Sequence, residues 1–135
     1  MVGGGKANVV YAAQYNTALV RYIDFMDSYL GGEELCHPSD NFGSVLAACE
    51  HAGRSGKEFL TALAVACQVE SALTSNAPLM ANGFDLTTQL SFSIAAGASK
   101  ALQLDEARSA AAVEICGDVI PLLAVRTTRP TRLGI

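Results

Sequence analysis

"SGKEFLTALAVACQVESAL", residues 55–73, decides the fold class. Ser55 stands three positions before Glu58, which is the spacing of a capping box. In that motif the serine hydroxyl accepts a first-turn amide and the glutamate reaches back to the serine's own N–H. The apolar run behind it continues for several turns without the strict alternation of a half-buried strand. The stretch predicts a long helix, apolar nearly all round and therefore buried on several sides.

The flanking sequence has the same period. Upstream, Ala12, Leu19, Ile23, Met26 and Leu30 recur at spacings of three, four and seven, one stripe of an amphipathic helix. Asn16 interrupts that stripe, either at its edge or in a buried polar contact. Gly31 and Gly32 are expected to stop the helix. A second helix is expected after Pro38, with Ser39, Asp40 or Asn41 as its cap and Phe42, Val45, Leu46, Cys49 and Ala52 facing inward.

Downstream, "SNAPLMANGFD" (75–85) reads as a loop. "LTTQLSFSIAAGASKAL" (86–102) then places Leu90, Ile94, Ala98 and Ala101 on one helical face. Its "AAGAS" run lets another helix approach closely, although Gly97 costs about 1 kcal/mol of helix propensity against alanine. Asp105 can cap a last helix, "EARSAAAVEICGDVI" (106–120), which Gly117 is expected to end or loosen. With neither strand alternation nor an internal repeat, the expected fold is all-α, a bundle of about five helices.

Composition narrows the functional classes. The 135 residues are 50% hydrophobic and 16% charged, a globular profile with room for one core. A net charge of −4 argues against a nucleic-acid partner, which needs a basic face. The longest apolar stretch is too short and interrupted to span a bilayer, and no secretory signal is visible, so a cytoplasmic protein without a membrane partner is expected. Arg126, Arg129 and Arg132 near the end read as solubilising charge. The four cysteines lack a CxxC pair and read as reduced, mostly buried thiols.

Chemistry concentrates in "DFMDSYLGGEELCHPSDN" (24–41). Asp24 and Ser28, four apart, would share one face of the first helix at its C-terminus. His37 follows the glycines and is restrained by Pro38. A carboxylate, a hydroxyl and an imidazole meeting there suit proton transfer at neutral pH, but spacing alone favours the plainer reading of a solvated polar turn. Cys36, His37, Cys49 and His51 are conceivable zinc ligands without the tight pairs such sites use. A reactive Cys36 would need cations nearby, where Glu33 and Glu34 stand instead. "GGGK" lacks the spacing of a phosphate loop.

"NTALVRYIDFMDSYL" running into "CHPSDN", followed by "GFDLTTQ", "AAGASKALQLD" and "AVEICG", resembles the MmgE/PrpD family, which includes 2-methylcitrate dehydratase and cis-aconitate decarboxylase. The resemblance spans roughly residues 3 to 130, and its most specific piece is D-F-x-D-[ST] leading to H-P-S. It implies that residues 1–135 are part of a helical domain, accompanied in the intact enzyme by a second α+β domain and assembled as a homodimer. It further implies lyase chemistry on small polycarboxylates by general acid–base catalysis, with no metal or organic cofactor. By motif match Asp24 and His37 stand at catalytic positions, and Ser28 and Ser39 at substrate-binding ones. Leu86 occupies a place where versions resembling GFDHTT carry a second histidine. Few cations accompany the five acidic residues of the 24–41 loop, so this chain alone is expected to be inactive.

Overall fold

The computed structural model describes residues 1–77 and 79–124. Among the described residues five helices dominate: α1 Val9–Arg21, α2 Asn41–His51, α3 Gly56–Asn76, α4 Thr87–Leu102 and α5 Glu106–Ala124. The expected all-α bundle is what forms. A short antiparallel hairpin, β1 Tyr29–Gly31 and β2 Glu34–Cys36, and a 3-10 turn, Pro38–Asp40, separate α1 from α2.

Local chemistry explains most helix starts. The Asn8 carboxamide accepts the Val10 amide at 3.0 Å to begin α1. The capping box of α3 is complete: the Ser55 hydroxyl accepts the Glu58 amide and the Glu58 carboxylate accepts the Ser55 amide. Asp105 Oδ1 accepts the Arg108 amide at 2.8 Å ahead of α5. None of Ser39, Asp40 and Asn41 serves α2 as a side-chain cap. Asp40 turns to Arg21 and Asn41 turns into the core, so tertiary partners override the cap role.

The core is formed by Val45, Ala48, Cys49, Ala62, Ala66 and Ala101, with Phe59, Leu63 and Ala98 packed against it. Phe42 meets Phe59 edge to face, with ring centroids 5.3 Å apart. Small residues bring α3 and α4 close together. A Cβ on Gly97 would lie 2.8 Å from both Ala66 Cβ and Val45 Cγ2.

Four expectations are corrected. First, α1 stops at Arg21 instead of running to Leu30. Its last turn tightens through the Tyr22 N–H to Leu19 carbonyl and the Asp24 N–H to Arg21 carbonyl bonds, and Asp24 then adopts a left-handed φ of 49°. Ile23 and Leu30 are consequently exposed, and the buried face of α1 runs through Ala12 and Asn16. Asn16 is in a buried polar contact, its Oδ1 accepting the Val2 amide at 2.9 Å.

Second, the hairpin replaces what reads as helix and loop. Its strands are three residues each, too short for a period-two signal, and they bury Gly31, Glu34 and Cys36. Third, α3 buries one stripe, Ala62, Ala66, Glu70 and Thr74, and leaves Leu60 65% exposed. Within α4, Leu90, Ile94 and Ala98 are half-buried, whereas Gln89, Ser93, Gly97 and Ala101 are buried. Fourth, α5 continues past Gly117, where a Cβ would meet the Phe92 ring at 3.1 Å. That glycine serves packing and does not end the helix.

Candidate active site

The hairpin is fastened on two sides. Gly31 lies against the α3 backbone, where a Cβ would come within 2.9 Å of Ser75 N, so only glycine fits without displacement. The Tyr29 hydroxyl and Ser75 Oγ are 2.9 Å apart. Glu34, buried, accepts the Met80 amide at 3.1 and 3.2 Å and the Ala81 amide at 3.3 Å. One carboxylate thus ties the hairpin to the "GFD" loop that leads into α4.

His37 emerges from β2 as the residue before the 3-10 turn, half-buried. Its Nδ1 is 2.6 Å from the Asp27 carbonyl oxygen. A carbonyl only accepts, so Nδ1 carries the proton and, in the neutral ring, Nε2 keeps its lone pair. Asp27 also accepts the Ser39 amide through Oδ1 at 3.2 Å. A single aspartate therefore gathers His37 and Ser39. In the sequence it is visible only as one more acidic residue of the D-F-x-D motif.

Asp24 and Ser28 share no helical face, because the helix has already ended. Asp24 is exposed, its side chain 88% accessible, with Arg21 Nη1 at 3.9 Å as its ion-pair partner. Ser28 is exposed in the segment before β1. The structure joins His37 with Ser39 and leaves Asp24 on the Arg21 side.

Arg21 is already committed. It forms a two-pronged pair with the buried Asp40, at 2.8 Å from Nε and 2.6 Å from Nη2. That hydrogen bond holds the guanidinium above its ordinary pKa. Beside the pair runs a groove of about 430 Å³ lined by Thr17, Arg21, Asp40, Asp85, Leu86 and Thr87. Bonds from the Thr87 hydroxyl and amide hold Asp85 below the usual carboxylate range. The groove sets one arginine against two aspartates and repels an anion. Leu86 presents no titratable group to it.

The other candidates separate. Cys36 is buried, and burial pushes its thiol up against the opposing Thr74 hydrogen bond, the reverse of a reactive cysteine. Cys49 lies in the core, whereas His51 is exposed. Among the described residues, no group of three or more His, Cys, Asp and Glu side chains could hold a metal ion. Among the same residues, no helix is long and apolar enough to cross a membrane.

The family model of the MmgE/PrpD N-terminal domain matches residues 1–132. The chain belongs to the MmgE/PrpD family. No solved structure matches it. In this MmgE/PrpD N-terminal domain, the D-F-x-D-[ST] and H-P-S elements lie on the turn between α1 and the hairpin and on the exit of β2.

Proposed function

We propose that this chain carries the histidine base of an MmgE/PrpD-type carbon–oxygen lyase that removes water from a small polycarboxylate resembling 2-methylcitrate. The observation that carries the reading is the His37 Nδ1–H donated to the Asp27 carbonyl, which leaves the Nε2 lone pair to accept a proton. In the reaction Nε2 takes a proton from the carbon next to a carboxylate. The freed electron pair forms the C=C bond as the C–O bond to the hydroxyl breaks. The departing hydroxide takes the proton now held on Nε2 and leaves as water, which returns the imidazole to its neutral form. Ser39 and Ser28 would hold substrate oxygens, and Asp24 would orient substrate from the Arg21 side. No metal or organic cofactor enters the scheme.

Carboxylates of such a substrate need cations, and Arg21 is neutralised by Asp40 and Asp24. In this proposal the clamps are supplied by a second α+β domain or by the partner of a homodimer. By itself the chain is expected to be inactive. The test is an assay with 2-methylcitrate and with cis-aconitate, for the chain alone and supplemented with the α+β domain of a full-length family member. Turnover is expected only in the supplemented mixture, and His37→Ala should lower it by about 10²- to 10⁴-fold. Turnover indifferent to His37→Ala sinks the role given to the histidine.

A non-catalytic helical interaction module is the second reading. Leu86, in place of the histidine of GFDHTT-like versions, favours it. Absence of turnover in every supplemented mixture, with the chain folded, would establish this reading over the first.

A further inference from the structure

Behind the His37 turn lies a buried polar ladder that the proton transfer does not itself use. Glu70 and Thr74, one turn apart on α3, face Gln89 and Ser93, one turn apart on α4, and Asn41 enters between them from the start of α2. All five are at most 1% exposed. The Thr74 hydroxyl bonds Gln89 Oε1 at 2.5 Å, and the Ser93 hydroxyl donates to Asn41 Oδ1 at 2.7 Å. Asn41 Nδ2 donates one hydrogen to Glu70 Oε2 at 2.5 Å and the other to the Pro38 carbonyl at 3.1 Å. With both amide hydrogens and its oxygen engaged, the Asn41 carboxamide has one orientation available.

Pro38 directly follows His37. Its carbonyl also receives the Cys67 thiol at 3.7 Å, from the turn of α3 that precedes Glu70. The turn is thus gripped from the core side through Asn41 and from the outer side through Asp27. We propose that Glu70 is a positioning residue for His37. It holds Asn41 so that Asn41 fixes the Pro38 carbonyl, and the fixed turn seats the imidazole on the Asp27 carbonyl through Nδ1–H. The catalytic meaning rests on His37 as the base, but the geometric claim is testable without substrate.

Imidazole ¹⁵N NMR of the full chain, at a pH where His37 is neutral, provides the test. The unaltered chain and Glu70→Gln, which keeps an acceptor for Asn41, are expected to show His37 chiefly as the Nδ1–H tautomer. Glu70→Leu keeps the bulk and removes the acceptor, and should cut the Nδ1–H share by about twofold or more. A folded Glu70→Leu with an unchanged tautomer ratio overturns the proposal, and so does a Glu70→Gln that loses the tautomer. If Glu70→Leu does not fold, Glu70→Asp, which draws the acceptor back by one methylene, is read in the same way. If neither folds, the Asn41 side-chain amide of the unaltered chain decides. Protection from solvent exchange supports the proposal, and exchange at the rate of an open amide overturns it. Because no turnover enters these readouts, an inactive protein leaves them interpretable.

Discussion

At the scale of single residues, the titratable groups that matter are those the fold has removed from water. Burial raises the Glu70 pKa above the ordinary glutamate value, against the lowering effect of the Asn41 hydrogen bond. The folded state therefore binds a proton that the unfolded state releases as pH rises through the usual glutamate range. Glu70 thus supports folding below that range, and its contribution declines as pH climbs toward the raised folded value. Glu70→Gln, which cannot ionise, should flatten this decline. Urea unfolding of both proteins across that pH range checks it, and parallel curves would refute the assignment. The Arg21–Asp40 pair yields a second prediction. Asp40→Asn leaves a half-buried guanidinium with one weaker acceptor, and a loss of about 1–2 kcal/mol is expected in urea unfolding. Neither residue's partner is visible along the chain, since Asp40 reads as a helix cap and Glu70 as one charge in an apolar helix.

At the scale of elements, helices with local signals are legible and the connection between α1 and α2 is not. The capping box of α3 and the Asp105 cap of α5 involve residues three apart, so sequence spacing suffices. The hairpin depends on Gly31 lying against the α3 backbone and on Glu34 reaching Met80, contacts more than 40 residues away. Glu34→Ala removes the acceptor for two loop amides. Hydrogen exchange at Met80 and Ala81 is expected to accelerate at least about tenfold, while the α3 amides remain protected. Small residues of α4 provide the complementary case. Gly97→Ala gains about 1 kcal/mol of helix propensity but drives a Cβ to 2.8 Å from Ala66 and Val45. Overpacking costs about 1–3 kcal/mol, so sterics outweigh propensity and a net loss of about 1 kcal/mol is expected in chemical denaturation.

At the scale of the whole molecule, the outer side of α1 and the segment after it expose Tyr11, Tyr15, Tyr22, Ile23 and Phe25, the last 89% accessible. So much exposed apolar surface favours association. Self-association at micromolar concentration is expected by sedimentation velocity, and Phe25→Asp with Tyr22→Asp should shift the chain toward monomer while leaving its circular dichroism unchanged. The sequence by itself determined the all-α class, the α3 and α5 starts and the H-P-S and D-F-x-D elements, because each is written in residues a few positions apart. Only the tertiary structure decided that Asp24 leaves the helix while Asp27 takes hold of His37, that Arg21 is spent on Asp40, and that Glu70 reaches the His37 turn through Asn41. Those outcomes depend on which distant groups meet once water is excluded, and a buried polar atom takes the partner the fold brings to it.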